Sequence, residues 1–286
     1  MTDIRFIKGD ARHLPRIVSR FSCGAASAVA TKLILGEYSA ERVHILRAWI
    51  KEEHEDNDRF SADCETWFGH PITVLRDTKY GASVIEVFKR KRYLKGQMGA
   101  PCRKALKGDV LEAAGLPDDI WVIGFTAEEE DRASELMDTN NGRKMLFPLI
   151  ERGLKKADTL AMIERAGIAL PAMYLLGYNN NNCKCCVKGG EGYFNRQRID
   201  FPENFVALAD VQESIGPGAF LFRDRETGER YSLRNLPPNK GRHDEPEISC
   251  SFFCAMAEQE MAHDLSEKRT KNVKNCESSM SQRQLL

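Results

Sequence analysis

The stretch from residue 17 to residue 35 constrains the fold of this chain more than any other. A short run of β-branched and aromatic residues, Ile17-Val18-Ser19-Arg20-Phe21, meets a turn of small residues, Ser22-Cys23-Gly24-Ala25-Ala26-Ser27. A helical pattern follows in which Val29, Leu33 and Ile34 can share one face. Strand, short loop and helix in that order open a parallel α/β sheet. Small side chains at such a junction let backbone N–H groups approach an anion, and the positive end of the helix favours phosphate or sulfate there. A tight turn that binds nothing fits the same residues. Neither G-x-x-x-x-G-K-[ST] nor G-x-G-x-x-G occurs, so the Walker and dinucleotide fingerprints are both excluded.

The chain beyond continues the alternation. Residues 43–50 read as a second strand, residues 72–75 as a third, and residues 121–126 as the clearest strand of all. Helical patterns cover residues 60–68, 83–93, 103–114 and 156–166. The fold class predicted is therefore α/β, an open and mostly parallel sheet with helices on both faces, over residues 1–176. Residues 177–265 form a cysteine-rich loop, a helix, a β-hairpin around Arg225-Glu226-Thr227-Gly228 and a terminal helix from residue 252. A charged tail occupies residues 266–286. Residues 4–7 read as an edge strand. The second strand ends in a polar segment at the carboxyl edge, where open α/β sheets place ligands, so His54 and Asn57 there are either nucleoside contacts or part of a solvated loop.

Lysine plus arginine equals aspartate plus glutamate at 42 each, so attraction to nucleic acid or a membrane must come from local patches. No run of eighteen apolar residues and no signal-peptide pattern occurs, which leads us to expect a cytoplasmic protein without a membrane partner. One patch stands out, with five positive charges in residues 89–95. It suits nucleotide phosphates or a nucleic-acid backbone, and equally the C-terminal end of a helix.

Nine cysteines are many for a reducing compartment and too irregular for a disulfide scaffold, which points to metal or redox chemistry. Cys64 lies in a helical pattern as a packing residue, and Cys276 sits in the polar tail. Cys102 opens a helix after a Gly-rich break, where the dipole stabilises a thiolate. Cys183 and Cys186 form C-x-x-C inside an asparagine- and glycine-bounded loop, the second of them 84 residues after Cys102. Three readings are open: an iron–sulfur cluster on Cys102, Cys183 and Cys186; a zinc knuckle in which Cys250 and Cys254 join the C-x-x-C; or no metal.

The loop at residues 22–27 resembles the phosphate loop of the adenine nucleotide alpha-hydrolase-like (PP-loop) superfamily, and within it the phosphoadenosine phosphosulfate reductase family. Gly124 followed by Glu129, Glu130 and Arg132 is similar to that family's second nucleotide-side motif. The progression Pro148-Leu149-Ile150, helix, Gly167-Ile168, Pro171 and Tyr174 into the cysteine loop extends the resemblance over residues 16–190. The resemblance implies an adenine nucleotide or sulfonucleotide held by Ser22, Cys23, Gly24, Ala25, Ala26, Ser27, His54, Gly124 and Arg132. Arg20, Lys95, Arg132 and Arg198 would be available to neutralise its phosphosulfate. It implies a [4Fe-4S] cluster on Cys102, Cys183 and Cys186, with zinc as the alternative, although Pro101 replaces the first cysteine of the family's pair. It also implies a nucleophilic thiol, Cys250 or Cys185, and a dithiol donor such as thioredoxin. Ala26 stands where ATP-cleaving relatives carry a metal-holding acid, and an alanine cannot ligate Mg²⁺. Reduction of a sulfonucleotide is thus expected ahead of ATP-dependent thiolation of a nucleic acid, with a noncatalytic nucleotide-binding module carrying a zinc knuckle as the third reading.

Overall fold

The computed structural model describes residues 14–96, 99–140 and 142–242. The expected strand at residues 4–7, the terminal helix from residue 252, the tail, and Cys250, Cys254 and Cys276 lie outside them. Five strands form one parallel sheet in the order β3-β2-β1-β4-β5: β1 Ile17–Arg20, β2 Val43–Ala48, β3 Ile72–Leu75, β4 Ile120–Val122 and β5 Met145–Leu146. The chain builds outward from β1 through β2 to β3, then crosses to β4 on the other side of β1. This Rossmann-like order puts a topological switch point between β1 and β4, where the connecting loops diverge and leave a crevice at the strands' carboxyl ends.

The period of two in each strand decides which face each side chain enters. Ile17, Val43, Ile45, Ile120 and Val122 pack on one face with α1 (Ala25–Glu37), α2 (Asp56–Phe68) and α7 (Lys156–Arg165). Cys64 is fully buried in that layer, as its helical setting predicted. Val18, Leu46, Ala48, Trp121 and Ile123 enter the opposite face with α5 (Asp109–Ala113) and α6 (Glu130–Thr139). Helices therefore cover both faces, as a parallel sheet requires.

A third apolar core lies beyond the sheet. It joins α3 (Val84–Lys91), the segment from Ala100 to Leu106, the cysteine loop, α9 (Glu191–Asp200), α10 (Pro202–Ile215) and a two-stranded hairpin. In that hairpin β6 (Phe222–Arg223) pairs antiparallel with β7 (Arg230–Tyr231), as the turn residues predicted. Against α3 packs α4 (Pro101–Arg103), which continues into a π turn at Lys104–Gly108 before α5. Sequence periodicity does not reveal that turn, and such turns gather at functional sites.

Three of the five cations in residues 89–95 make contacts within the chain. Lys89 reaches Glu86, Arg90 donates to the Lys79 carbonyl at 2.8 Å, and Arg92 donates to the carbonyls of Ser214 and Ile215, both at 3.5 Å. No helix among the described residues is long and apolar enough to cross a membrane.

Candidate functional site

A cavity of about 530 Å³ opens at the switch point. Its floor is the turn after β1, where the two serines lock the backbone. Ser27 Oγ accepts from Ser22 N and Ser22 Oγ, both at 3.1 Å, and donates to the Gly24 carbonyl at 2.9 Å. Cys23 adopts a left-handed conformation, φ 57°, which sends its side chain into the core and leaves the backbone to face the crevice. The N-cap residue of α1, Gly24, has no side chain with which to cap the helix. Tyr174 Oη stands beside it and accepts from Ala25 N at 3.4 Å.

The opposite wall comes from the end of β4. Gly124 is required there because a Cβ would lie 2.9 Å from Ser27 Cα and 3.0 Å from Ser27 N. Beyond it, Thr126 and Glu129 close a capping box, and Glu129 pairs with Arg132, whose guanidinium lies 4.5 Å from the centre of the Phe125 ring. Four cations, Arg20, Lys107, Arg132 and Lys156, line the cavity against two acids, Glu128 and Glu129. The Arg20 guanidinium lies over the Trp121 ring, 2.9 Å from its centre, and burial pulls its pKa down while Glu112, 3.5 Å away, opposes that shift. Arg20, Lys107 and Arg132 each keep a carboxylate partner, Glu112, Glu53 and Glu129, so the cavity sets paired cations beside the start of α1 and an apolar wall of Ala48, Leu111, Ile123 and Phe125, which suits an anionic ligand with a flat apolar part.

Of the residues expected to hold a nucleotide, Ser22, Gly24, Ala26, Ser27, Gly124 and Arg132 line this cavity. Cys23 and Ala25 are buried beneath it and contribute backbone only. His54 is not among the residues lining the cavity: its ring packs edge-on against Phe201 at 5.8 Å and its Nδ1 accepts from Asp56 N. Arg198 is likewise turned aside, donating to the Leu236 carbonyl at 2.7 Å. Lys107, Lys156, Tyr174 and residues 180–182 are cavity residues that the sequence reading did not assign to the site. Tyr174 alone had a signal, as the last member of the progression quoted above.

The cysteine loop meets this cavity directly. Residues 180–182 form part of its wall, and Asn181 Nδ2 donates to the Cys23 carbonyl and to Asn57 Oδ1, each at 2.7 Å. Lys184 N donates to the Glu52 carbonyl at 2.8 Å. Beyond that point Cys102 and Cys183 pack against one apolar core, and the Tyr193 hydroxyl accepts from Cys186 N at 3.2 Å and donates to the Cys183 carbonyl at 3.3 Å. Cys185 does not suit the nucleophile's role. It is 5% exposed, burial pushes its thiol up to about 12, and its N–H is fixed on Gln197 Oε1.

Whether this set can hold a metal rests on two facts. Among the described residues no three His, Cys, Asp or Glu side chains gather around a position for a metal ion. Arg103, next to Cys102, is 3% exposed, and all three guanidinium nitrogens are buried with no hydrogen-bond partner. A buried cation without an anion is strongly disfavoured, so the chemistry beside Cys102 fits a negatively charged group such as a thiolate-held metal cluster. The chain matches no protein-family model and no curated protein.

Proposed function

We propose that this chain binds an adenine nucleotide in the switch-point cavity and performs sulfur chemistry on it, as the resemblance to phosphoadenosine phosphosulfate reductases implies. One observation carries the reading: the cysteine loop forms a wall of the cationic cavity through residues 180–182 and is tied to the anion-facing turn through Asn181. A nucleotide held in the cavity would lie against the loop that carries Cys183 and Cys186. In the reaction proposed, a thiolate attacks the sulfur of an adenylyl sulfate and the sulfur–oxygen bond breaks. AMP departs with the bonding pair, and the sulfonate stays on the thiol. A dithiol then releases sulfite, becoming a disulfide as it supplies two electrons. Arg20, Lys107, Arg132 and Lys156 would hold the phosphate and sulfate oxygens and stabilise the leaving phosphate.

Cys250 is the thiol proposed for the attack. It follows Arg242 by eight residues, a tether of at most about 29 Å. The backbone at residues 241–242 lies so close on Gly192 that a Cβ there would stand 2.1 Å from the Arg242 carbonyl oxygen. The tether therefore starts one residue from Tyr193 and the cysteine loop. A [4Fe-4S] cluster on Cys102, Cys183 and Cys186 is part of the proposal, with zinc as the other candidate. When bound it would supply electrostatic stabilisation beside the sulfate, and no step above passes through it. Ala26 offers no metal ligand for the alternative, ATP-dependent thiolation of a nucleic acid, and three of the five cations in the 89–95 patch that would favour it are engaged locally.

Protein prepared without oxygen is expected to bind AMP, adenylyl sulfate or 3′-phosphoadenylyl sulfate, and to release sulfite only when a dithiol donor is added. Failure to bind any of the three would end this reading. The metal is tested separately. Arg103→Met is expected to stabilise the metal-free chain by about 1 kcal/mol or more, because an unpaired buried charge is removed. The same change should lower the iron or zinc retained on purification, and equal metal content in both proteins would detach Arg103 from any metal site.

A further inference from the structure

Asn181 carries an acceptor that the described residues do not use. Glu53, 6% exposed, accepts from Lys107 Nζ at 3.0 Å and from Asn57 Nδ2 at 3.2 Å. A carboxylate paired with an ammonium accepts only, so the amide nitrogen of Asn57 must face it and Asn57 Oδ1 must face away. That oxygen lies 2.7 Å from Asn181, which must therefore present its own amide nitrogen, and the same nitrogen reaches the Cys23 carbonyl at 2.7 Å. Both Nδ2 protons of Asn181 are consumed, and the orientation of its amide follows from its neighbours. Asn181 Oδ1 is left buried with no hydrogen-bond partner among the described residues, on a side chain that lines the cavity.

An acceptor shut off from water without a donor disfavours the empty state and is relieved when a ligand brings one. The cavity's cations are the natural partners of phosphate and sulfate, which leaves this oxygen for a neutral donor. We propose that Asn181 is a specificity-determining residue whose Oδ1 accepts an N–H or O–H from the nucleoside part of the ligand, either the 6-amino group of adenine or a ribose hydroxyl. The proposal rests on the nucleotide reading above. It adds that the loop carrying Cys183 and Cys186 recognises the nucleoside directly, because the side chain that reads the ligand is the one hydrogen-bonded to the anion-facing turn. Reaching Oδ1 requires a small turn of residues 180–182, which the ligand contact would stabilise.

The test compares AMP with purine riboside 5′-monophosphate, which lacks the 6-amino group, and with 2′-deoxy- and 3′-deoxy-AMP. Binding is measured by calorimetry to the full chain and to Asn181→Ala, with Asn181→Thr as a second variant that retains a donor for the Cys23 carbonyl. The unaltered chain is expected to prefer AMP over one of the three analogues by about tenfold, and that preference should fall close to one in both variants. Collapse for the purine analogue assigns the oxygen to the base, and collapse for a deoxy analogue assigns it to the ribose. Preferences that persist unchanged in variants that still bind AMP would overturn the proposal. A full-length chain that binds none of the four would instead bring down the nucleotide reading and this inference with it.

Discussion

Gly124→Ala is expected to weaken AMP binding by about a hundredfold and to destabilise the chain by about 1–3 kcal/mol. The reason is a backbone-to-backbone approach. The new Cβ would stand 2.9 Å from Ser27 Cα, 3.0 Å from Ser27 N and 3.2 Å from the Ala26 carbonyl carbon. None of these atoms can rotate away as a flexible side chain would, so the N-terminal turn of α1 must move from the end of β4. Ser27 Oγ is the centre of the hydrogen bonds that shape the turn, and any shift of Ser27 displaces the amides that would face the anion of the proposed ligand. Gly36, in the last turn of α1, has nothing within 4 Å of its Cβ position. Gly36→Ala should therefore leave affinity unchanged and stabilise the helix by about 0.5–1 kcal/mol. Calorimetric titration with AMP and urea unfolding of both variants check this pair, and a Gly124→Ala protein with unaltered affinity would remove the turn from the binding site.

Glu52→Ala should cost about 3 kcal/mol or more, since charged acceptors of this kind contribute about 1.5–3 kcal/mol per hydrogen bond. The Glu52 side chain is buried where β2 runs out and accepts from Ser83 Oγ at 2.6 Å, Val84 N at 2.8 Å and Ile85 N at 3.4 Å. It thus closes the positive end of α3, an arrangement favoured by the helix dipole as well as by the hydrogen bonds. Its own carbonyl receives Lys184 N. Loss of the carboxylate leaves two backbone donors of α3 without an acceptor and frees the segment on which the cysteine loop is pinned. Glu52→Gln keeps one acceptor oxygen and should fall between the two. Urea denaturation gives the stability change, and hydrogen exchange at Val84 and Lys184 shows whether the loss is local. A cost below about 1 kcal/mol in Glu52→Ala would mean that the cap is replaced by water.

The paired acids Glu52 and Glu53 illustrate why the site was only half legible. In the sequence they belong to a charged loop, Lys51-Glu52-Glu53-His54-Glu55-Asp56, and nothing distinguishes the buried pair from the rest. Folded, Glu52 and Glu53 are 7% and 6% exposed, and they organise α3, the π turn through Lys107, and Asn57. His54, their neighbour and open to either a nucleoside contact or a solvated-loop reading, packs on Phe201. Strand β2 ends at Ala48, short of the predicted residue 50, because Trp49 N still pairs with Leu75 while Lys51 N already turns to Ala82. Similarly, Cys185 and Cys186 are adjacent in the chain, yet one thiol is core and the other sits half-buried beside Tyr193.

The order of β1 to β4 with the helices between them, the small-residue turn after β1 and the C-terminal hairpin were determined by the sequence alone, because alternation, helical periodicity and turn chemistry act over a few residues, whereas the two-residue β5 carried too short a pattern to be read. The tertiary structure decided which strands neighbour β1, and so where the crevice opens and which cations line it. It also decided that an asparagine more than 150 residues away closes on Cys23. Contacts of that kind depend on how three separate apolar cores pack together, and no local spacing of residues encodes them.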